Sequence, residues 1–228
     1  MSVWAILVAA GRGERLGLDQ PKAFAKLGDD PLLAEPLRRL DESDWIDRIV
    51  IVAPPEWEEP SILLAEELAC SKVHSCVPGG ETRAGSVRAG LAEVPADALV
   101  VLVHDAARPL VTEAVIERVL APLGEGWDGA VPGLAVADTL KRVGSDGAIL
   151  ETVSRDGLWA VQTPQAFRSE ALREALSEPG SLAEASDDAM LVERRGGRLL
   201  IHSSPPDNIK VTTPFDLRVA DLLLRERG

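Results

Sequence analysis

Short apolar runs recur along this 228-residue chain, and stretches with helical patterning separate them. Strands are expected at residues 3–8, 48–52, 72–77, 99–103, 129–131 and 198–202. The first four are β-branched or leucine-rich with little alternation of polar and apolar positions. That is the pattern of strands buried on both faces. Helices are expected at 31–40, 61–69, 82–91 and 112–120. In the last of these, Val115, Ile116, Val119 and Leu120 share one face, with Thr112 placed to cap its start. A C-terminal helix is announced by "TPFD": Thr213 caps, Pro214 suits the first helical position, and Asp216 completes an acidic capping box. Strand alternating with helix predicts an α/β fold, a mainly parallel sheet with helices on both faces. The length suits one such domain.

One segment breaks the rhythm. Residues 138–157 read "DTLKRVGSDGAILETVSRDG". Asp146-Gly147 is a hairpin-turn signal between two strand-like arms. A hairpin inserted into a doubly wound sheet, without a helix of its own, is expected to project and to pair with a second copy of the chain. A surface flap on a monomer is the alternative.

Composition narrows the function. The formal net charge of −13 argues against nonspecific nucleic-acid binding, which needs a basic face. No apolar run approaches the roughly 20 residues of a membrane span. The apolar N-terminus lacks a basic leader and runs straight into a charged glycine loop, so it reads as a first strand. Cys70 and Cys76 suggest neither a disulfide framework nor a metal cluster, and His74 between them does not change that. They are expected as small core residues, Cys70 ending a helix and Cys76 within a strand. A cytoplasmic protein is the expectation.

The glycine loop, "ILVAAGRGERLGLDQPKAF" from Ile6 to Phe24, fits neither familiar phosphate loop. A Walker loop needs Lys-Ser/Thr after its glycine, and none follows. A dinucleotide fingerprint needs a third glycine where Leu16 stands, and an acid at the end of the second strand where Ala53-Pro54-Pro55 stands. What remains is a strand, a glycine turn and the cations Arg12, Arg15, Lys22 and Lys26. Glycines let backbone N–H groups approach phosphate oxygens. Arginine adds a forked donor and lysine a mobile point charge. Clustered after the first strand of an α/β sheet, they point to a polyphosphate.

Seven separated motifs then carry a resemblance over nearly the whole chain: "AAGRGERLG…QPKAF" (9–24), "PGGETRAGSV" (78–87), "VHDAARP" (103–109), "ADTLKR" (137–142), "TVSRDGLWAVQTPQAF" (152–167), "SDDA" (186–189) and "DNIKVTTPFDL" (207–217). In this order the chain resembles the 2-C-methyl-D-erythritol 4-phosphate cytidylyltransferases, Rossmann-like nucleotidyltransferases of the non-mevalonate isoprenoid pathway. The resemblance implies CTP and a polyol phosphate as substrates, Mg²⁺ held mainly by the CTP phosphates with Asp105 as a further candidate ligand, and a homodimer joined through the 138–157 arm. It implies catalytic roles for Arg15, Lys22 and Lys210. Ala9, Ala10, Gly11 and Gly13 would contact the nucleotide. Gly79, Gly80, Glu81 and Ser86 would read the cytosine edge, and Ala106 the ribose. Asp105, Arg108, Thr139, Arg155, Thr163 and Ser186 would hold the acceptor, the arm residues coming from the neighbouring subunit. Ser186 and Asp188 stand where the family usually has threonine and glutamate. Arg83 either reaches phosphate or braces its loop. His104 invites a general-base reading, but an anionic phosphate nucleophile needs no deprotonation, so a structural role is expected. A ribitol 5-phosphate cytidylyltransferase would share the CTP loops. A binding module without turnover would not need three converging cations, and the failed fingerprint disfavours a redox enzyme.

Overall fold

The computed structural model describes residues 2–11, 13, 16–17, 19–177 and 185–227. In chain order its elements are β1 (Val3–Val8), β2 (Lys26–Leu27), β3 (Asp30–Pro31), α1 (Ala34–Glu42), β4 (Arg48–Ala53), α2 (Glu58–Glu67), β5 (Val73–Pro78), α3 (Arg83–Ala92), β6 (Val100–Asp105), α4 (Glu113–Gly124) and β7 (Gly129–Ala135). There follow β8 (Leu140–Val143), β9 (Ile149–Val153), β10 (Trp159–Val161), β11 (Gln165–Arg168), α5 (Ser169–Ala175), α6 (Asp188–Arg194), β12 (Leu199–Ser203) and α7 (Pro214–Arg227).

The expected α/β architecture is present. Strands β5, β4, β1 and β6 run parallel and adjacent. Beyond β6 the order continues with β11, antiparallel to both β6 and β7, and then β7, with β12 parallel to it on the far side. Strand β10 pairs antiparallel with the C-terminal half of β7. From β1 the chain winds first towards β4 and β5, then crosses back to β6. The switch therefore falls between β1 and β6, where open α/β sheets form a ligand crevice at the strands' C-terminal ends.

The unalternating strand sequences have the cause expected of them. In β1, Ala5 and Leu7 pack with α1, α2 and α4 on one face, while Trp4 and Ile6 pack with α3, α5 and α6 on the other. The fully buried Ile6 and Leu7 each contribute about 1.5–3 kcal/mol. Helix α7 rests on a smaller cluster of Leu27, Leu32, Val211 and Ala220.

Several boundaries differ from expectation. Helix α1 begins three residues later than read, because Leu32 and Leu33 are drawn into the core ahead of the helix. Helix α2 begins earlier, at Glu58. Cys70 lies just past α2, not at its last turn, whereas Cys76 does lie in β5. Both thiols are free, half-buried and pushed up to about 11 by burial. The face predicted for α4 is buried as read, but the Thr112 side chain makes no cap bond; the Thr112 carbonyl accepts from Val115 N–H instead. Strands β2, β3, β10 and β11 and helices α5 and α6 were not foreseen.

The 138–157 segment forms the expected hairpin. β8 and β9 make a two-stranded antiparallel sheet of their own. Its turn spans residues 144–147, closed by Gly147 N–H to the Gly144 carbonyl at 3.0 Å, with Gly147 at φ +82°. Among the described residues no helix is long and apolar enough to cross a membrane.

Candidate active site

A cleft of about 660 Å³ opens at the C-terminal ends of β1 and β6. Val8, Ala9, Ala10 and Gly11 form its floor from β1, and Asp105, Ala106 and Ala107 from β6. Gly79, Gly80, Glu81 and Ser86 close one wall, next to Pro54 and Pro55 from the end of β4. Lys22 and Lys210 line it as well.

Lys22 is placed by local chemistry. Pro21 fixes an extended backbone, φ −56°, and the chain then turns through a 3-10 helix at Lys22–Phe24. Phe24 N–H donates to the Pro21 carbonyl at 2.9 Å, and the Phe24 ring packs 4.5 Å from that of Trp57. Gly13 lies directly against this turn. Its φ of +70° and the overlap a Cβ would make with the Lys22 Cβ both require glycine. Arg15, expected beside Lys22, lies outside the described residues.

The opposite wall depends on α3. Thr82 caps that helix by accepting from Gly85 N–H at 3.0 Å. A Cβ on Gly79 would overlap that of Ala10, so glycine lets this wall meet the β1 loop. The Ser86 hydroxyl accepts from Gly80 N–H at 3.1 Å and donates to the Thr82 carbonyl at 3.0 Å. It fixes the shape of the glycine turn from beneath.

Lys210 arrives from the far end of the chain because Asn208, fully buried, anchors its loop. The Asn208 amide donates to Gln162 Oε1 and to the Thr163 carbonyl, each at 3.0 Å. Val211 N–H donates to the Ala107 carbonyl at 2.8 Å. Lys210 Nζ then reaches Asp105 Oδ2 at 2.6 Å. Asp105 Oδ1 accepts from Arg83 Nε–H at 3.0 Å, and Arg83 Nη1–H donates to Asp188 Oδ2 at 2.7 Å. Of the two readings of Arg83, the brace is what this geometry displays. Burial would raise the Asp105 carboxyl, but Arg83 and Lys210 outweigh it and hold the group well below the usual carboxylate range.

Behind Asp105 runs a buried chain whose directions can be assigned. The Arg108 carbonyl can only accept, so His104 Nε2, 3.1 Å away, carries the proton. His104 Nδ1 therefore accepts from the Thr163 hydroxyl at 3.1 Å, whose oxygen accepts from Asp105 N–H at 3.0 Å. His104 is fully buried, and burial lowers its pKa to about 4. It is neutral near pH 7, in the structural setting expected of it.

The remaining expected acceptor residues lie outside the cleft lining. Thr163 is buried with its hydroxyl engaged as above. Arg108 is 8% exposed, donates to the Asn208 carbonyl at 2.8 Å, and has its Nε unpartnered. Ser186 is exposed at the entry to α6, its hydroxyl 3.4 Å from Met190 Sδ. Thr139 and Arg155 are exposed on the arm, where Arg155 binds the Ala137 carbonyl. Sequence reasoning missed Asn208, Gln162 and the Pro54-Pro55 wall. The prolines carried a usable signal, since they end a buried parallel strand beside β1.

The donor set bears on a metal. Among the described residues no cluster of three or more His, Cys, Asp or Glu could cage one. Both Asp105 oxygens already meet cations. Such a cleft fits a cation that enters with a polyphosphate.

An open α/β sheet whose switch-point crevice is lined by lysines from two distant segments fits a Rossmann-like nucleotidyltransferase. Comparison with known proteins gives the family. The sequence model of "IspD: 2-C-methyl-D-erythritol 4-phosphate cytidylyltransferase" matches residues 3–226, and the chain belongs to that family. It is 44% identical over 227 residues to the 2-C-methyl-D-erythritol 4-phosphate cytidylyltransferase of Nocardia farcinica, covering 100% of this chain and 96% of that protein. It is 45% identical over 224 residues to that of Rhodococcus opacus, covering 98% and 96%. The crystal structure of the Thermus thermophilus enzyme of the same name superposes with a TM-score of 0.77 at 33% identity, covering 99% and 100%.

Proposed function

We propose that this chain transfers CMP from CTP to 2-C-methyl-D-erythritol 4-phosphate, giving 4-diphosphocytidyl-2-C-methyl-D-erythritol and pyrophosphate, in isoprenoid precursor synthesis. The observation that carries this beyond family membership is the convergence of Lys22 and Lys210 on one cleft at the ends of β1 and β6. An oxygen of the acceptor phosphate attacks the α-phosphorus of CTP. The new O–P bond forms as the bond to the β-phosphate bridging oxygen breaks, and pyrophosphate leaves with that electron pair. The nucleophile is already anionic, so the obstacle is charge, and catalysis is positioning plus electrostatic stabilisation. Lys22 and Lys210 act on the charge developing at the α-phosphate, and Arg15 is proposed to join them. Each such donor is worth about 3–4 kcal/mol in the transition state. Mg²⁺ would be held mainly by the CTP phosphates and would neutralise their charge; Asp105, whose oxygens meet Arg83 and Lys210, would join it only by giving up one of those contacts.

The narrow wall at Gly79 and Gly80 suits a pyrimidine read by backbone groups. We assign Asp105 and Arg108 to the acceptor, Asp105 from the cleft lining and Arg108 from behind it, with Thr163 acting through Asp105 and Ser186 at the margin. Thr139 and Arg155 lie off this cleft, and we propose that a second copy of the chain supplies them. The test is pyrophosphate release from CTP and Mg²⁺ with methylerythritol phosphate or ribitol 5-phosphate in parallel. Turnover with the former is expected. Turnover confined to ribitol 5-phosphate would overturn the acceptor assignment.

A further inference from the structure

We propose that Asp188 is a positioning residue for the transfer: it pins Arg83, and through Arg83 and Asp105 it sets where Lys210 stands. The proposal rests on the cytidylyl-transfer reading of the cleft.

Four charged side chains from four regions of the chain form one linear array. Asp188 Oδ2 accepts from Arg83 Nη1–H at 2.7 Å, Asp105 Oδ1 from Arg83 Nε–H at 3.0 Å, and Asp105 Oδ2 from Lys210 Nζ at 2.6 Å. Asp188 is wholly buried and lies outside the cleft lining, so it does not reach the ligand space. Arg83, Asp105 and Lys210 do line that space. A buried carboxylate set behind a site, hydrogen-bonded only to the guanidinium that enters it, acts on the reaction through that guanidinium.

The consequence follows from hydrogen-bond capacity. Arg83 gives Nε to Asp105 and Nη1 to Asp188 and keeps Nη2 buried without a partner, while Asp105 divides its oxygens between two cations. Each Asp105 oxygen is thereby assigned, and Lys210 receives Oδ2. Asp188 at Nη1 holds the tilt of the guanidinium; without it the fork can swing until Nε and Nη2 seat together on one carboxylate, the bidentate arrangement a guanidinium favours. The remaining carboxylate is Asp105. Arg83 would then compete for Oδ2, and Lys210 would be displaced. The turn that carries Asp188 is firmly held, whereas its carboxylate has only Arg83 on Oδ2 and keeps Oδ1 buried without a partner. Asp187 caps α6 by accepting from Met190 N–H at 3.0 Å, and Gln165 ties the same turn through Ala189 N–H at 3.2 Å and Asp187 Oδ2 at 2.9 Å.

Folded Asp188→Ala and Asp188→Glu proteins, checked by circular dichroism, would be compared with wild type at saturating CTP. Misplacing Lys210 is expected to lower kcat on the order of tenfold to a hundredfold in D188A. KM for CTP should change less, and D188E should recover most of the rate by restoring the charge opposite Arg83. A purely structural role would lower the melting temperature of D188A while leaving the kcat of the folded fraction unchanged, and that result overturns the proposal. A second readout needs no turnover. The five lysines can be ¹³C-dimethylated and the Lys210 signal assigned with K210R. Its resonance should move in D188A and return in D188E; an unmoved signal in folded D188A also overturns the proposal. Absence of wild-type turnover with either polyol phosphate would instead defeat the functional reading, and the lysine signal would still decide this one.

Discussion

At the scale of single residues, the cleft is a problem of unequal partners. A chain with a formal charge of −13 must present a cationic site to a polyphosphate, so its few local cations have to be held in place. Asp105 does this for Arg83 and Lys210, and a neutral histidine supports Asp105 from behind. His104 gives a prediction with a defined sign. Its folded pKa of about 4 lies below the ordinary 6.5, because burial disfavours the charged ring. The unfolded chain therefore binds the proton more readily between pH 6.5 and 4. Stability from the neutral ring is full above 6.5 and lost as pH falls towards 4, reaching roughly 3 kcal/mol. His104→Gln should be less stable than wild type at pH 7, by about 1–3 kcal/mol for the broken chain to Thr163 and Arg108. The gap should narrow steadily down to pH 4 in chemical denaturation. A gap of constant size across that range would show that His104 is not the neutral, buried group described.

At the scale of elements, what could be read in advance depended on how local the cause was. Strands β1, β4, β5 and β6 were legible because burial on both faces leaves an unmixed apolar run. Helix α7 was legible because its cap is written in four consecutive residues. Thr213 Oγ1 accepts from Asp216 N–H at 3.2 Å, and Asp216 Oδ2 accepts from Thr213 N–H at 2.8 Å and from the Thr212 hydroxyl at 2.7 Å. Strand β11 was not legible: "QAFR" is four residues long, follows a proline, and owes its place to pairing with β6 and β7. Helices α5 and α6 have seven residues each, too few to display a period. The site divides in the same way. The glycine loop marks itself by composition, whereas Asn208 acquires meaning only once Gln162 and Thr163 are beside it. The α7 cap is testable. Hydrogen bonds from Thr212, aided by Thr213, lower Asp216 to about 2. Its contribution is present above the ordinary carboxylate pKa near 4 and lost as pH falls through 2. Asp216→Asn should lose about 1 kcal/mol at pH 7, a drop of roughly 2–4 °C in Tm for a chain of this size. The difference in Tm should shrink below pH 4. An Asn variant as stable as wild type at pH 7 would remove the carboxylate from the cap.

At the scale of the whole molecule, a single copy of the chain does not explain the arm. A two-stranded hairpin is marginal alone in water, and this one exposes Val143, Ile149 and Leu150 at 55%, 65% and 63%. Beside its base, Leu158 and, in β10, Trp159 and Val161 are partly open. Two copies with strong negative charge repel one another, yet residues 138–157 hold three basic against four acidic side chains. The arm is thus the nearly neutral, apolar surface through which such copies could meet. It also carries Thr139 and Arg155, which the proposed chemistry needs and the chain's own cleft lacks. Charged replacement, Ile149→Lys with Leu150→Lys, should give a folded monomer by sedimentation velocity with at least tenfold lower activity. A wild type that sediments as a monomer at assay concentration would defeat the shared-site idea at once. Complementation separates a shared site from simple dimerisation. Lys22→Ala disables the cleft and Arg155→Ala the arm, so each homodimer should be nearly inactive. In a mixed dimer one cleft keeps Lys22 and receives Arg155 from its neighbour, while the other has lost both. Mixing the two inactive variants should therefore restore activity as subunits exchange. Failure to recover activity, with mixed dimers verified by mass spectrometry, would place each arm residue outside the neighbouring cleft.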